Sequence, residues 1–192
     1  CSTRCTVNLV RRSPGRPAGP TSDTERVVLT AALALLLSEG AGALTPQRLH
    51  QATGVSRSTV YRHWPSAHEV LAALIAVAPI SAPAPSGDLG EDLHTAVDHL
   101  CNRLRDRPVA AFLRALVAAG ADDLRHRYVE DLVAPLHAAM QAAKVSRAER
   151  EDAVALIASP LLLDALLLDK PTARARAHRT VDDVLGRLQV AR

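Results

Sequence analysis

Apolar residues recur every third or fourth position along nearly the whole chain, in runs broken by Pro, Gly or a Ser/Thr/Asp that opens the next run, and no segment alternates like a strand. That period belongs to helices, so the pattern predicts an all-α fold. Val28, Ala32, Leu35 and Leu36 follow the capping-box sequence Ser22-Asp23-Thr24-Glu25 and stop at Gly40 and Gly42. Thr45 ahead of Pro46 starts a second helix with Leu49 inward, because Thr accepts a free backbone N–H and proline lacks one at a position that would leave it unpaired. Gly54 supplies the positive φ of a tight reversal, Val55 plugs the turn, and Ser56 caps a third helix with Val60 and Trp64 on one face. Ser66-Ala67-His68-Glu69 reads as another capping box, opening a helix that buries Val70, Leu71, Leu74 and Ile75.

The stretch 79–87 is rich in Pro and reads as a semi-rigid connector. Beyond it Leu89, Leu93, Ala96, Val97, Leu100 and Leu104 form a stripe ending before Pro108. Val109, Phe112, Leu113, Leu116 and Val117 form the next, ending at Gly120; Leu124, Tyr128, Leu132, Leu136 and Met140 line a third, which Pro135 is expected to bend. Ser146 to Glu149 is a further capping box, and from Ala153 the helix is apolar on nearly every side. The final helix has the stripe Val181, Val184, Leu185 and Leu188. A unit of about 100 residues has few layers with which to cover two such helices, so a second copy of the chain is the expected cover. Ile157, Leu161, Val181, Val184, Leu185 and Leu188 are the expected interface of that homodimer. The expected organisation is a basic arm over 1–20, a helix-turn-helix unit with a fourth connecting helix over 21–78, the connector 79–87, and a helical bundle over 88–192.

Charge sharpens this picture. The net charge is only +3, yet residues 1–65 hold eight Arg against three acids, and the remainder is slightly acidic. Positive charge concentrated on one region suits a polyanionic partner. Residues 1–20 mix Arg with Ser, Pro and Gly and have too few apolar groups to fold, and Pro14-Gly15-Arg16-Pro17 is similar to the core of minor-groove hooks. Arg11, Arg12 and Arg16 are therefore minor-groove candidates, against the plainer reading of a solvated tail that adds nonspecific attraction. No run reaches the roughly 20 apolar residues of a membrane helix, and no secretion signal opens the sequence, so the expectation is a cytoplasmic protein with no membrane partner. Cys1, Cys5 and Cys101 are odd in number and lack metal spacing, and read as reduced thiols.

Within Thr45 to Pro65 the third helix leaves Arg57, Ser58, Tyr61 and Arg62 on its polar faces. Arg57, Ser58, Arg62 and Gln47 are the candidates for base edges, where Arg favours guanine and Gln adenine. The window resembles the N-terminal module of the TetR family of transcriptional regulators, through Thr45, Leu49, Thr53-Gly54-Val55-Ser56, Thr59, Tyr61, His63-Trp64 and Leu71. By motif the resemblance spans about a quarter of the chain. It implies an N-terminal three-helix DNA-binding module with a helix-turn-helix, followed by a C-terminal ligand-binding and dimerisation bundle. It further implies phosphate contacts at Thr45, Thr59, Tyr61 and His63, with packing around Trp64 as the alternative for Tyr61 and His63. Two positions depart from the family pattern. His50 stands where a small residue is usual, and predicts a slight tilt of the reading helix. Ala67, followed by His68, stands where a Lys usually touches phosphate, and predicts that this contact is lost or taken over.

The resemblance also implies double-stranded DNA with a near-palindromic operator as partner, and repression relieved by a small molecule held inside the second unit. His94, Cys101, Phe112, Tyr128, His137 and Met140, with His99 and His126, are the groups in a Leu/Ala/Val interior able to orient a guest. His94 and Asp98 have metal-compatible i,i+4 spacing but read as a surface pair, so no metal and no cofactor is expected. There is no glycine-rich phosphate loop, no His-Glu-x-x-His and no nucleophile elbow, so an enzyme is not expected. The competing class is a helical protein-interaction adaptor, in which Arg57 and Arg62 would be dispensable.

Overall fold

The structure, a computed structural model, describes residues 21–77, 83–168, 170 and 173–190. The expected arm with Arg11, Arg12 and Arg16 lies outside the described residues, as does 79–82 of the expected connector. Among the described residues the fold is all-α: α1 (Ser22–Glu39), a 3-10 turn (Ala41–Ala43), α2 (Pro46–Thr53), α3 (Arg57–His63), α4 (Ala67–Val77), α5 (Leu89–Arg105), α6 (Arg107–Ala118), α7 (Asp122–Ala142), α8 (Arg147–Leu166) and α9 (Arg174–Val190).

Side-chain caps open α1, α2, α3, α5 and α8, whereas α6 and α7 start at Asp106 and Ala121 without one. Thr21, not Ser22, caps α1 by accepting the Thr24 N–H, since a β-region residue must precede the first helical one. Asp88 caps α5 through the Glu91 N–H at 2.8 Å, and Ser146 with Glu149 closes the full reciprocal box at α8. At α4 the box is incomplete in form: Ser66 accepts the His68 N–H at 3.2 Å, while Glu69 accepts from the Ser66 hydroxyl. α7 runs through the buried Pro135 without interruption.

The buried side chains form one continuous cluster from Val28 in α1 to Val184 in α9. In its N-terminal part Leu49, Val60, Trp64, Val70 and Leu71 close against Val28, Ala32, Leu35 and Leu36 of α1. α5 is the axis of the rest, packed against α6, α7, α8 and α9. The two parts meet where α1 lies on α6 and α4 on α7. No helix among the described residues is long and apolar enough to cross a membrane.

Candidate nucleic-acid interface

The reversal between α2 and α3 is held from several sides. Gly54 adopts φ 70°, ψ −1°, and its N–H donates to the His50 carbonyl at 2.9 Å. Thr53 donates its hydroxyl to the Leu49 carbonyl at 2.6 Å and accepts the Val55 N–H at 3.2 Å. His50, expected to tilt the reading helix, lies half-buried and donates from Nδ1 to the Val55 carbonyl at 2.7 Å. The imidazole thus bridges α2 to the turn, a hydrogen bond that a small residue could not make. Arg48 adds an ion pair to Glu39, tying α2 to the end of α1.

With Val60 fully buried and Trp64 only 2% exposed, α3 anchors by one face and turns the other outward. Gln47, Arg57, Ser58 and Arg62 are all exposed, and Tyr61 is 51% exposed. Ser56 caps α3 by accepting the Thr59 N–H at 3.3 Å, and its hydroxyl lies 3.1 Å from that of Ser58 and 2.8 Å from that of Thr59. This hydroxyl cluster holds the first turn of α3 while leaving the Arg57 and Arg62 guanidinium groups in solvent. Thr45 is exposed, with its Oγ1 accepting the Arg48 N–H at 3.3 Å. His63 sits edge-on to Trp64, ring centroids 5.8 Å apart, so packing engages this candidate phosphate contact. His68 turns toward α7, where its Nε2 lies 3.2 Å from Asp123 and holds that carboxyl below its usual pKa. Donors with fixed backbones on one face, beside the positively charged part of the sequence, are what the major groove requires.

Elsewhere the structure rearranges the expected sites. Ile157, Leu161, Val181 and Val184 are buried within the chain's own core, so they have no surface to offer a second copy, and Leu185 and Leu188 are half-buried. Helical spacing identified apolar residues but not which of them α5 would cover. The uncovered stripe of α8 is instead Leu156, Ser159 and Leu163, continued by Leu167, with Leu156 45%, Leu163 48% and Leu167 76% exposed. It borders a groove of about 450 Å³ between α6 and α8, to which Val117 also contributes.

The pocket candidates do not converge either. Cys101 and Met140 are fully buried core residues, His137 is half-buried and lines neither large cavity, and His126 is exposed with Nδ1 bonded to the Asp122 carbonyl. His99 is held below the usual imidazole pKa, mainly by burial and secondarily by Arg103. His94 does not pair with Asp98: it stacks on His178, Nδ1 to Nδ1 at 2.6 Å, and bonds Asp182, while His178 bonds Asp98. A cross-helix contact of this kind is invisible to i,i+4 spacing. Phe112 and Tyr128 line a cavity of about 440 Å³, whose walls come from α1, α4, α5, α6 and α7.

Residues 28–74 match the family model described as bacterial regulatory proteins, tetR family. The chain is 29% identical over 195 residues to an uncharacterised HTH-type transcriptional regulator of Mycobacterium tuberculosis, covering 93% of this chain and 95% of the relative, and equally to one from Mycobacterium bovis. Among solved structures, the TetR transcriptional regulator from Agrobacterium tumefaciens superposes with a TM-score of 0.71 at 24% identity, over 86% of this chain and 94% of that one. A second, described as a TetR family transcription regulator, gives 0.59 at 23% identity, over 85% and 97%.

Proposed function

We propose that this chain, whose residues 28–74 match the tetR family model, is a DNA-binding transcriptional regulator of that family, and that it works in the cytoplasm as a homodimeric repressor released by a small molecule. The observation that carries the reading is α3: buried through Val60 and Trp64, and exposing Arg57, Ser58 and Arg62 together. In the bound state the two α3 helices enter successive major grooves of a near-palindromic operator, Arg57, Arg62, Ser58 and Gln47 reading base edges. Thr45, Thr59, Tyr61 and His63 set the register on phosphates. The two copies pair through the apolar outer stripe of α8, whose Leu156 and Leu163 would otherwise remain in water. Release follows if the effector binds the DNA-incompetent state better, since equal affinity for both states shifts nothing.

Selection from random duplexes at near-physiological salt tests this, run in parallel with the Arg57→Glu/Arg62→Glu protein. The native chain should enrich one near-palindrome and the variant none, both remaining folded dimers. A folded native dimer that enriches nothing argues instead for a protein-binding adaptor.

A further inference from the structure

The cavity of about 440 Å³ holding Phe112 and Tyr128 falls within the roughly 300–1,000 Å³ of small-molecule sites. Its walls come from both parts of the molecule: Leu29 and Leu33 of α1 and Leu74 and Ile75 of α4 face Val109 and Phe112 of α6. Four charged residues join this apolar lining: Glu25, Arg26, Arg103 and Asp106. Their formal charges cancel, so burial has to decide which sign is uncompensated. Arg26 and Asp106 are exposed, and Arg26 lies 3.6 Å from Asp23. Arg103 is half-buried, no carboxylate among the described residues pairs with it, and its Nε is closed to solvent with no hydrogen-bond partner. No carboxylate oxygen of Glu25 or Asp106 is shut away in that manner. The neighbour able to accept from the guanidinium is the Tyr128 hydroxyl, which burial keeps protonated by raising its pKa, against the smaller opposing pull of Arg103. A phenol is a poor substitute for a carboxylate, and a buried donor without an acceptor is costly.

We infer that this cavity receives an amphipathic monoanion, a carboxylate seated between Arg103 and Tyr128 with its apolar body against α1, α4 and α6. The inference rests on the reading of the chain as an effector-released regulator and specifies the chemistry and place of that effector. The site differs in position from the one expected inside the second bundle. A guest that needs both walls stabilises one disposition of α1 and α4 relative to α6, and so acts on the reader directly.

The test uses the full chain with decanoate, decan-1-ol and decylammonium, each below its micelle concentration, followed by thermal unfolding and by DNA affinity. Decanoate should raise the melting temperature and weaken DNA binding by about tenfold, with the alcohol and the ammonium giving little of either. Arg103→Gln should lose the response to decanoate. Thr30→Trp, at an exposed α1 position that lines the cavity, should lose it by bulk while keeping Arg103, which covers the case in which the first variant folds poorly. A response common to all three head groups, a response retained by Arg103→Gln, or no response to decanoate overturns the assignment. Decanoate binding that leaves DNA affinity unchanged upholds the site and removes its role in release.

Discussion

Gly54 sits at φ 70°, and a Cβ built there meets nothing within 4 Å, so substitution costs conformation alone. The left-handed region costs an L-residue about 1–2 kcal/mol. Gly42 is equally open but lacks the positive φ, so alanine there only narrows the unfolded ensemble. Gly54→Ala should therefore lower the melting temperature by about 2–8 °C, while Gly42→Ala leaves it unchanged or raises it; equal losses from the two would refute the assignment of the turn. A second residue-scale device is Asp92, buried ahead of α5's second turn, where it accepts the Ser86 N–H at 2.6 Å and the Gly87 N–H at 3.2 Å. Those backbone donors, Ser86 first, hold its carboxyl below the usual range. A carboxyl lowered by folding adds stability that is complete above the unfolded-state pKa and is lost as pH falls through the folded one. Asp92→Asn should thus melt below the native chain at neutral pH, the gap closing toward strong acid; a gap independent of pH would mean the ionised carboxylate is not what holds this loop. The Gly54 turn was legible from sequence because φ is a local property. Asp92 was not, because its value comes from a loop folding back on it, and the bond from His50 to the Val55 carbonyl was hidden for the same reason.

At the scale of helices, periodicity and capping residues located every run, since both act within one element. They could not tell which apolar face the chain covers by itself, because that depends on how α5, α8 and α9 are arranged. α8 shows the difference: Ile157 and Leu161 point into the core at 1% exposure each, whereas Leu156 and Leu163 on the other side are nearly half exposed. Each leucine removed from water by a partner contributes about 1.5–3 kcal/mol at full burial, so losing the outer pair is enough to separate a dimer. Leu156→Glu/Leu163→Glu is expected to sediment as a monomer with native helicity and an unchanged fold. Ile157→Ala is expected to lose about 2–5 kcal/mol of folding stability while its folded fraction still associates. Dimeric Leu156→Glu/Leu163→Glu protein would move the pairing surface away from α8. The placement of Arg57 and Arg62 on the outer face of α3 was legible for the opposite reason: one buried Val60–Trp64 stripe on a seven-residue helix leaves no other direction for them.

For the whole molecule, the continuity of the core sets how freely the reader moves. α1 packs on α6, α4 on α7, and the buried cluster runs unbroken between the two parts. His68 and Asp123 add a link at 3.2 Å across the same junction. If two such bodies pair through α8, the distance between their α3 helices is a property of the folded dimer and not of a flexible tether. One base pair inserted between half-sites turns one of them by about 34–36° and moves it by about 3.4 Å, a change that fixed readers cannot follow without losing contacts on one side. Insertion or deletion of a single central base pair in the selected operator is therefore expected to weaken binding by about tenfold or more, since each lost base contact is worth about 1–3 kcal/mol. Asp123→Ala removes the link at an exposed position, where such pairs are weak. It should relax the spacing penalty by only about two- to fivefold, leaving affinity for the native spacing nearly unchanged. Band-shift titrations on three operators differing only in central spacing decide the matter. Equal affinity for all three by the native chain would mean that the readers swing independently, and that the packing of α1 on α6 and of α4 on α7 yields when DNA binds.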